Sequence, residues 1–222
     1  MLDPLFIGPR SSLLVLQHFY LVAHPHNHSC PKTHCRAAPL TSQELCLVCE
    51  GIYDIRDLAC TLGQCMPNLQ DLEVARFPSC KDGAWFLPMQ HLPLRSLRLY
   101  FRGGNYSMFG PPDPEVVASV SAFTGLQHLT LQGVRVQSFS PLSGLTNLTS
   151  LRYDNGAERM PPEACASLGA LTSLQHLKLQ AAIPSFSPLS GLTNLTSLCV
   201  LKCYQNVHFQ DLNGMLASCL RL

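Results

Sequence analysis

The fourteen residues SFSPLSGLTNLTSL occur at 138–151 and again, unchanged, at 185–198. Just upstream of the two copies stand LQHLTLQ at 126–132 and LQHLKLQ at 174–180. The five residues GVRVQ that follow in the first copy become the four residues AAIP in the second, so the duplicated unit is about 47 residues long. It divides further, because LTSLRY at 148 and LTSLCV at 195 share one LxxLxL shape. The same shape begins at Leu16 (LQHFYL), Leu69 (LQDLEV) and Leu94 (LRSLRL), more weakly at Ser42 (SQELCL), and last at Ala217 (ASCLRL). Successive starts are 21 to 32 residues apart. An apolar signature at such a period marks stacked supersecondary units.

The signature dictates how the units must sit. In a strand, alternate residues face opposite ways, so the fourth and sixth residues of LxxLxL share one face and the third and fifth share the other. One unit cannot bury its own leucines, and the next unit has to cover them. Each covered leucine contributes about 1.5–3 kcal/mol. Leu97, Leu129, Leu151, Leu177 and Leu198 are therefore expected side by side on adjacent parallel strands.

This pattern resembles the leucine-rich repeat family over nearly the whole chain. The unit LQHLTLQGVRVQSFSPLSGLTN is similar to the 22-residue subtype of bacterial internalins and leucine-rich phosphatase regulators. The wider units are closer to the ribonuclease-inhibitor and F-box-associated subtypes, and the phrase LSGLTNLTSL is similar to green-algal leucine-rich proteins. The resemblance implies an α/β leucine-rich repeat solenoid: curved, with a parallel sheet on the concave face and short helices and turns on the convex face. Residues 1–15 would be a lead-in. Residues 16–222 would hold about eight units and a truncated last strand, with a His/Cys-rich loop at 24–35 and a Gly/Pro insertion at 100–114. The closing CLRL would lack a cap, which suggests a piece of a larger array. One departure stands out. The family's ninth position is usually Asn or Cys bonded to backbone, yet here it holds Phe77, Val134, Gly156 and Ala182, and only Cys203 conforms. Those backbone bonds must be met otherwise, or the turns are looser.

Return segments differ between units. Residues 113–123 begin with a capping Asp, then Pro and Glu, a helix signature, and 161–171 repeat its logic. Residues 53–65 carry Ile55, Leu58, Ala59 and Leu62 on one helical stripe. SFSPLSGL is too short and too rich in Ser, Pro and Gly for an α-helix, so 3₁₀ or extended turns are expected.

Composition narrows the function. Charged residues are 13% of the 222 and the net charge is +1, which offers no broad field for nucleic acid or anionic membrane. No apolar run reaches the roughly 18 residues of a membrane span. Residues 11–23 have the apolarity of a secretory signal, but Gln17 and His18 interrupt it and Asp3 stands where basic residues belong. The repeat strand at Leu16 accounts for it instead. Eleven irregularly spaced cysteines read as reduced, buried, small apolar residues. No phosphate loop, nucleophile elbow, paired-carboxylate site or zinc-protease helix is present.

Candidate ligating groups crowd one segment. HPHNHSCPKTHC holds His24, His26, His28, Cys30, His34 and Cys35, all suitable zinc donors, though the spacing matches no familiar finger. The segment reads more readily as a flexible or poorly defined loop between repeats. His18, His128 and His176 share the third place of their units, which duplication alone explains. Asn147 and Asn194 (in NLT) and Asn105 (in NYS) are glycosylation acceptors if the chain is secreted.

The concave face is the default binding surface of such a stack. Its outward places would include Asp71 and Glu73, then Arg98, His128, Thr130, Arg152, His176 and Lys178, with acidic groups early and basic groups late. A partner of opposite polarity would be steered into register along it. Tyr20 and Tyr100 are candidate anchors if exposed, while Tyr153 is expected to be buried. The expected function is non-catalytic protein–protein recognition, with no cofactor. One alternative is substrate recognition in an F-box-type ubiquitin-ligase adaptor; another is a zinc-binding module on the His/Cys-rich loop. The family resemblance points to the cytoplasm, with a cilium axoneme as the alternative.

Overall fold

The computed structural model describes residues 19–22, 43–49, 55–77, 83–101 and 115–201. The lead-in, most of the Gly/Pro insertion, Cys203 and the strand expected from Ala217 lie outside the described residues.

Eight strands form one open sheet in sequence order: β1 (Phe19–Val22), β2 (Glu44–Cys49), β3 (Asp71–Phe77), β4 (Ser96–Phe101), β5 (His128–Gln132), β6 (Ser150–Arg159), β7 (His176–Ala182) and β8 (Ser197–Leu201). From β2 to β8 every pairing is parallel. The fourth residues of the motif line up rung by rung: Leu45, Leu72, Leu97, Leu129, Leu151, Leu177 and Leu198. All but Leu198 are buried, and Leu198 is partly covered. Beside them runs a second row of Leu47, Val74, Leu99, Leu131, Tyr153, Leu179 and Val200. This is the continuous spine the leucine period requires.

The first unit departs from that plan. β1 runs antiparallel to β2, with Phe19 opposite Cys49 and Val22 opposite Cys46. Among the described residues the parallel stack therefore starts at Glu44, and Phe19–Val22 is not a parallel rung of it.

The backs of the units alternate. Helix α1 (Ile55–Cys65) follows β2, α2 (Glu115–Val120) follows β4, and α3 (Pro162–Leu168) follows β6. Between them, 3₁₀ turns at Gly83–Met89, Ser140–Gly144 and Ser187–Gly191 follow β3, β5 and β7. The repeating object is thus a pair, one helical return and one 3₁₀ return, which is why the sequence duplicates in 47-residue steps. The helices bury residues three and four apart, such as Val116, Val117 and Val120, or Ala164, Cys165 and Leu168. The 3₁₀ units bury every third residue: Phe139, Leu142, Leu145 and Leu148, then Phe186, Leu189, Leu192 and Leu195. The short 3₁₀ pieces carry Leu142 and Leu189, and the turns before and after them bury the flanking members of each set. Proline at the first turn and glycine at the last bound each piece.

The strand entries carry a regular series of backbone bonds between units. Two consecutive N–H groups at each strand entry donate to one carbonyl of the unit before. Gln70 and Asp71 bond Gln43 O, Arg95 and Ser96 bond Gln70 O, and Gln127 and His128 bond Arg95 O. Thr149 and Ser150, Gln175 and His176, and Thr196 and Ser197 continue the series through Gln127, Thr149 and Gln175. Side chains reinforce it. Asn147 Nδ2 donates to Thr124 O at 3.1 Å and Asn194 Nδ2 to Thr172 O at 2.8 Å. Thr149 and Thr196 hydroxyls donate to Gln127 O and Gln175 O. At the ninth position of the motif Val134 and Ala182 are simply buried, and Gly156 takes φ +77°, a left-handed turn that favours glycine.

The expectation of mostly buried cysteines needs correction. Of the five described free cysteines only Cys165 is buried, and Cys60 is exposed. Burial pushes the Cys165 thiol pKa up, and the thiol donates a hydrogen bond to Ser185 O at 3.4 Å.

Candidate functional site

The solvent face of the sheet carries two in-register rows. The third places of the motif give Glu44, Asp71, Ser96, His128, Ser150, His176 and Ser197. The fifth places give Cys46, Glu73, Arg98, Thr130, Arg152, Lys178 and Cys199. Strand alternation puts them opposite the leucines, and His128, Arg98, Arg152 and His176 are exposed. Ser96, between Asp71 and His128, is buried. All eight sequence-predicted binding residues thus lie on this one face, on β3 to β7.

The charges are sorted along the stack. Glu44, Asp71 and Glu73 occupy β2 and β3, while Arg152 and Lys178 occupy β6 and β7. Glu73 and Arg98 meet at the boundary in an ion pair of 3.2 Å. Arg152 and Lys178 are direct register partners, so two cations face each other across strands about 4.8 Å apart. Like charges in that position repel. Tyr100 is half-buried on β4; burial, with Glu73 nearby, raises its pKa despite Arg98 and Arg152.

A second feature was not singled out in the sequence. β6 runs on past its neighbours and its pairing with β7 shifts register between Asp154 and Arg159. Asp154 Oδ1 accepts the Gly156 N–H at 2.9 Å, closing a tight turn. Behind it lies a pocket of about 390 Å³ whose walls include Arg135, Tyr153, Asn155, Glu158 and Arg159. Arg135 and Glu158 bridge it as a bidentate ion pair, which holds the Arg135 pKa up. The signal available in sequence was that RYDNGAER has no counterpart in the second copy, where CVLKCYQN stands.

His24, His26, His28, Cys30, His34 and Cys35 lie outside the described residues. Among the described residues no group of three or more His, Cys, Asp or Glu could hold a metal ion. No helix among them is long and apolar enough to cross a membrane. Tyr153 is fully buried, as its place in the motif requires.

No protein-family model matches the sequence, and no curated protein matches it. Solved structures match the fold. An internalin (inlF) from Listeria monocytogenes superposes with a TM-score of 0.52 at 20% identity, over 76% of this chain and 42% of that one. Internalin C2 (inlC2) from the same organism gives 0.52 at 22% identity, over 81% of this chain and 68% of that one. The chain therefore spans less than half the length of the first of these.

Proposed function

This chain is a leucine-rich repeat solenoid, and we propose that it is a non-catalytic module that recognises a protein partner on the solvent face of its sheet. The observation that carries this reading is the pair of polar rows with sorted charge. Arg152 and Lys178 repel one another in register, and a partner's carboxylate placed between them relieves that repulsion. Asp71 on β3 suits a cation of the same partner. Opposite polarity along one stack fixes both orientation and register. The ubiquitin-ligase adaptor reading uses the same face and draws no separate support from the described residues.

The test is affinity capture with three forms of the chain. Wild type and a control reversed on the back of the stack (Glu163→Lys on α3) should retain the same proteins. The double reversal Arg152→Glu/Lys178→Glu should lose them. Equal retention by all three would remove the sheet face from the function.

A further inference from the structure

The pocket at the end of β6 stands apart from the repeat. The stretch SFSPLSGLTNLTSL is unchanged between the two copies, yet the pocket residues outside it change: Arg135 belongs to GVRVQ, replaced by AAIP, and Tyr153, Asn155, Glu158 and Arg159 belong to RYDNGAER, replaced by CVLKCYQN. Bulges of this kind re-aim side chains. The volume, about 390 Å³, falls in the range of small-ligand and side-chain sites.

Its chemistry is specific. Asn155 is 2% exposed and lines the pocket. Its Oδ1 is buried without a hydrogen-bond partner among the described residues. A buried carbonyl oxygen without a donor is costly, by about 1–3 kcal/mol. At the mouth, Glu158 already occupies Arg135. Arg159 is exposed and has no acidic partner among the described residues. The pocket therefore lacks one neutral donor inside and one anion at its rim. A cationic donor would meet two guanidiniums, so a neutral donor such as an amide suits the site.

We propose that this pocket is a subsite for an acidic peptide segment of a protein partner. A carboxylate of the segment pairs with Arg159, and an amide N–H beside it donates to Asn155 Oδ1. This deepens the protein-recognition reading and rests on it, but the two sites are separable by mutation.

The experiment titrates the ¹⁵N-labelled full chain with acetyl-Gly-Glu-Gly-amide, its glutamine counterpart and inorganic phosphate. At about 10 mM probe, tenfold above a millimolar Kd, the glutamate peptide should shift the Asn155 side-chain amide and the Arg159 Nε–H to saturation. The glutamine peptide should bind about fivefold more weakly, the loss expected for one exposed ion pair. Arg159→Gln should weaken the glutamate peptide by a similar factor, and Lys178→Gln should leave it unchanged. No saturable shift, equal binding of both peptides, phosphate binding as tightly as the glutamate peptide, or indifference to Arg159→Gln would each overturn the assignment. Because Lys178 belongs to the sheet face, tripeptide binding that survives its loss tests the pocket whatever the capture experiment shows.

Discussion

The hydroxyl of Tyr153 accepts a hydrogen bond from the backbone N–H of Val136 at 3.2 Å, joining β6 to the loop of the unit before it. Tyr153 stands where neighbouring rungs have Leu131 and Leu179. Its ring packs edge-on to Phe139, with centroids 5.3 Å apart at 86°. One side chain thus fills a leucine's place and also meets a backbone donor of the preceding unit.

Tyr153→Phe keeps the packing and removes the acceptor. The buried Val136 N–H is then left without it, at a cost of about 1–3 kcal/mol. Urea denaturation of the two forms should show that loss; equal midpoints would mean the hydroxyl contributes nothing to the fold.

Burial also pushes the Tyr153 pKa up to about 12, with the bond from Val136 opposing the shift. The unfolded tyrosine ionises near 10, so between roughly pH 10 and 12 only the unfolded chain is charged at this site. Stability from this group is complete below about pH 10 and falls as pH rises through that window, by on the order of 2–3 kcal/mol in all. Stability measured against pH should fall less steeply over this range in Tyr153→Phe than in wild type.

Gly144 and Gly191 occupy the same place in the identical fourteen-residue copies, yet their surroundings differ. A Cβ on Gly144 meets nothing within 4 Å, whereas one on Gly191 would lie 2.5 Å from Gly169 O. Gly169 itself stands directly against Pro188 O. Gly144→Ala should be neutral within about 0.5 kcal/mol, while Gly191→Ala and Gly169→Ala should each cost about 1–3 kcal/mol through forced backbone movement. Thermal unfolding of the three variants decides this.

Asn147→Ala and Asn194→Ala each remove one side-chain bond between units, worth about 0.5–1.5 kcal/mol. The sites are two rungs apart with no shared partner, so the double variant should lose close to the sum. A chemical-denaturation cycle on the four forms checks it.

Much of the architecture was legible in the residues. Leucines at LxxLxL spacing specify a parallel rung wherever the next unit repeats them, and the register from Leu45 to Leu198 follows. Shortness and richness in proline, serine and glycine rule out an α-helix for SFSPLSGL and leave 3₁₀ or extended turns, of which the structure has the 3₁₀ form. LQHFYL at Leu16 misled because a short apolar motif carries no direction, and β1 pairs antiparallel. The rows of Asp71, Glu73, Arg98, Arg152 and Lys178 could be placed on one face by alternation alone. Their pairing, Glu73 with Arg98 and Arg152 beside Lys178, needed the strand register.

Local periodicity, then, decided what each segment buries and which side it shows, since those depend only on the geometry of a strand or a helical turn. The β6 pocket, the unpartnered Asn155 oxygen and the different surroundings of Gly144 and Gly191 depend on atoms that other units bring near. Identical words in this chain meet different neighbours, and only stacking sets which atoms those are.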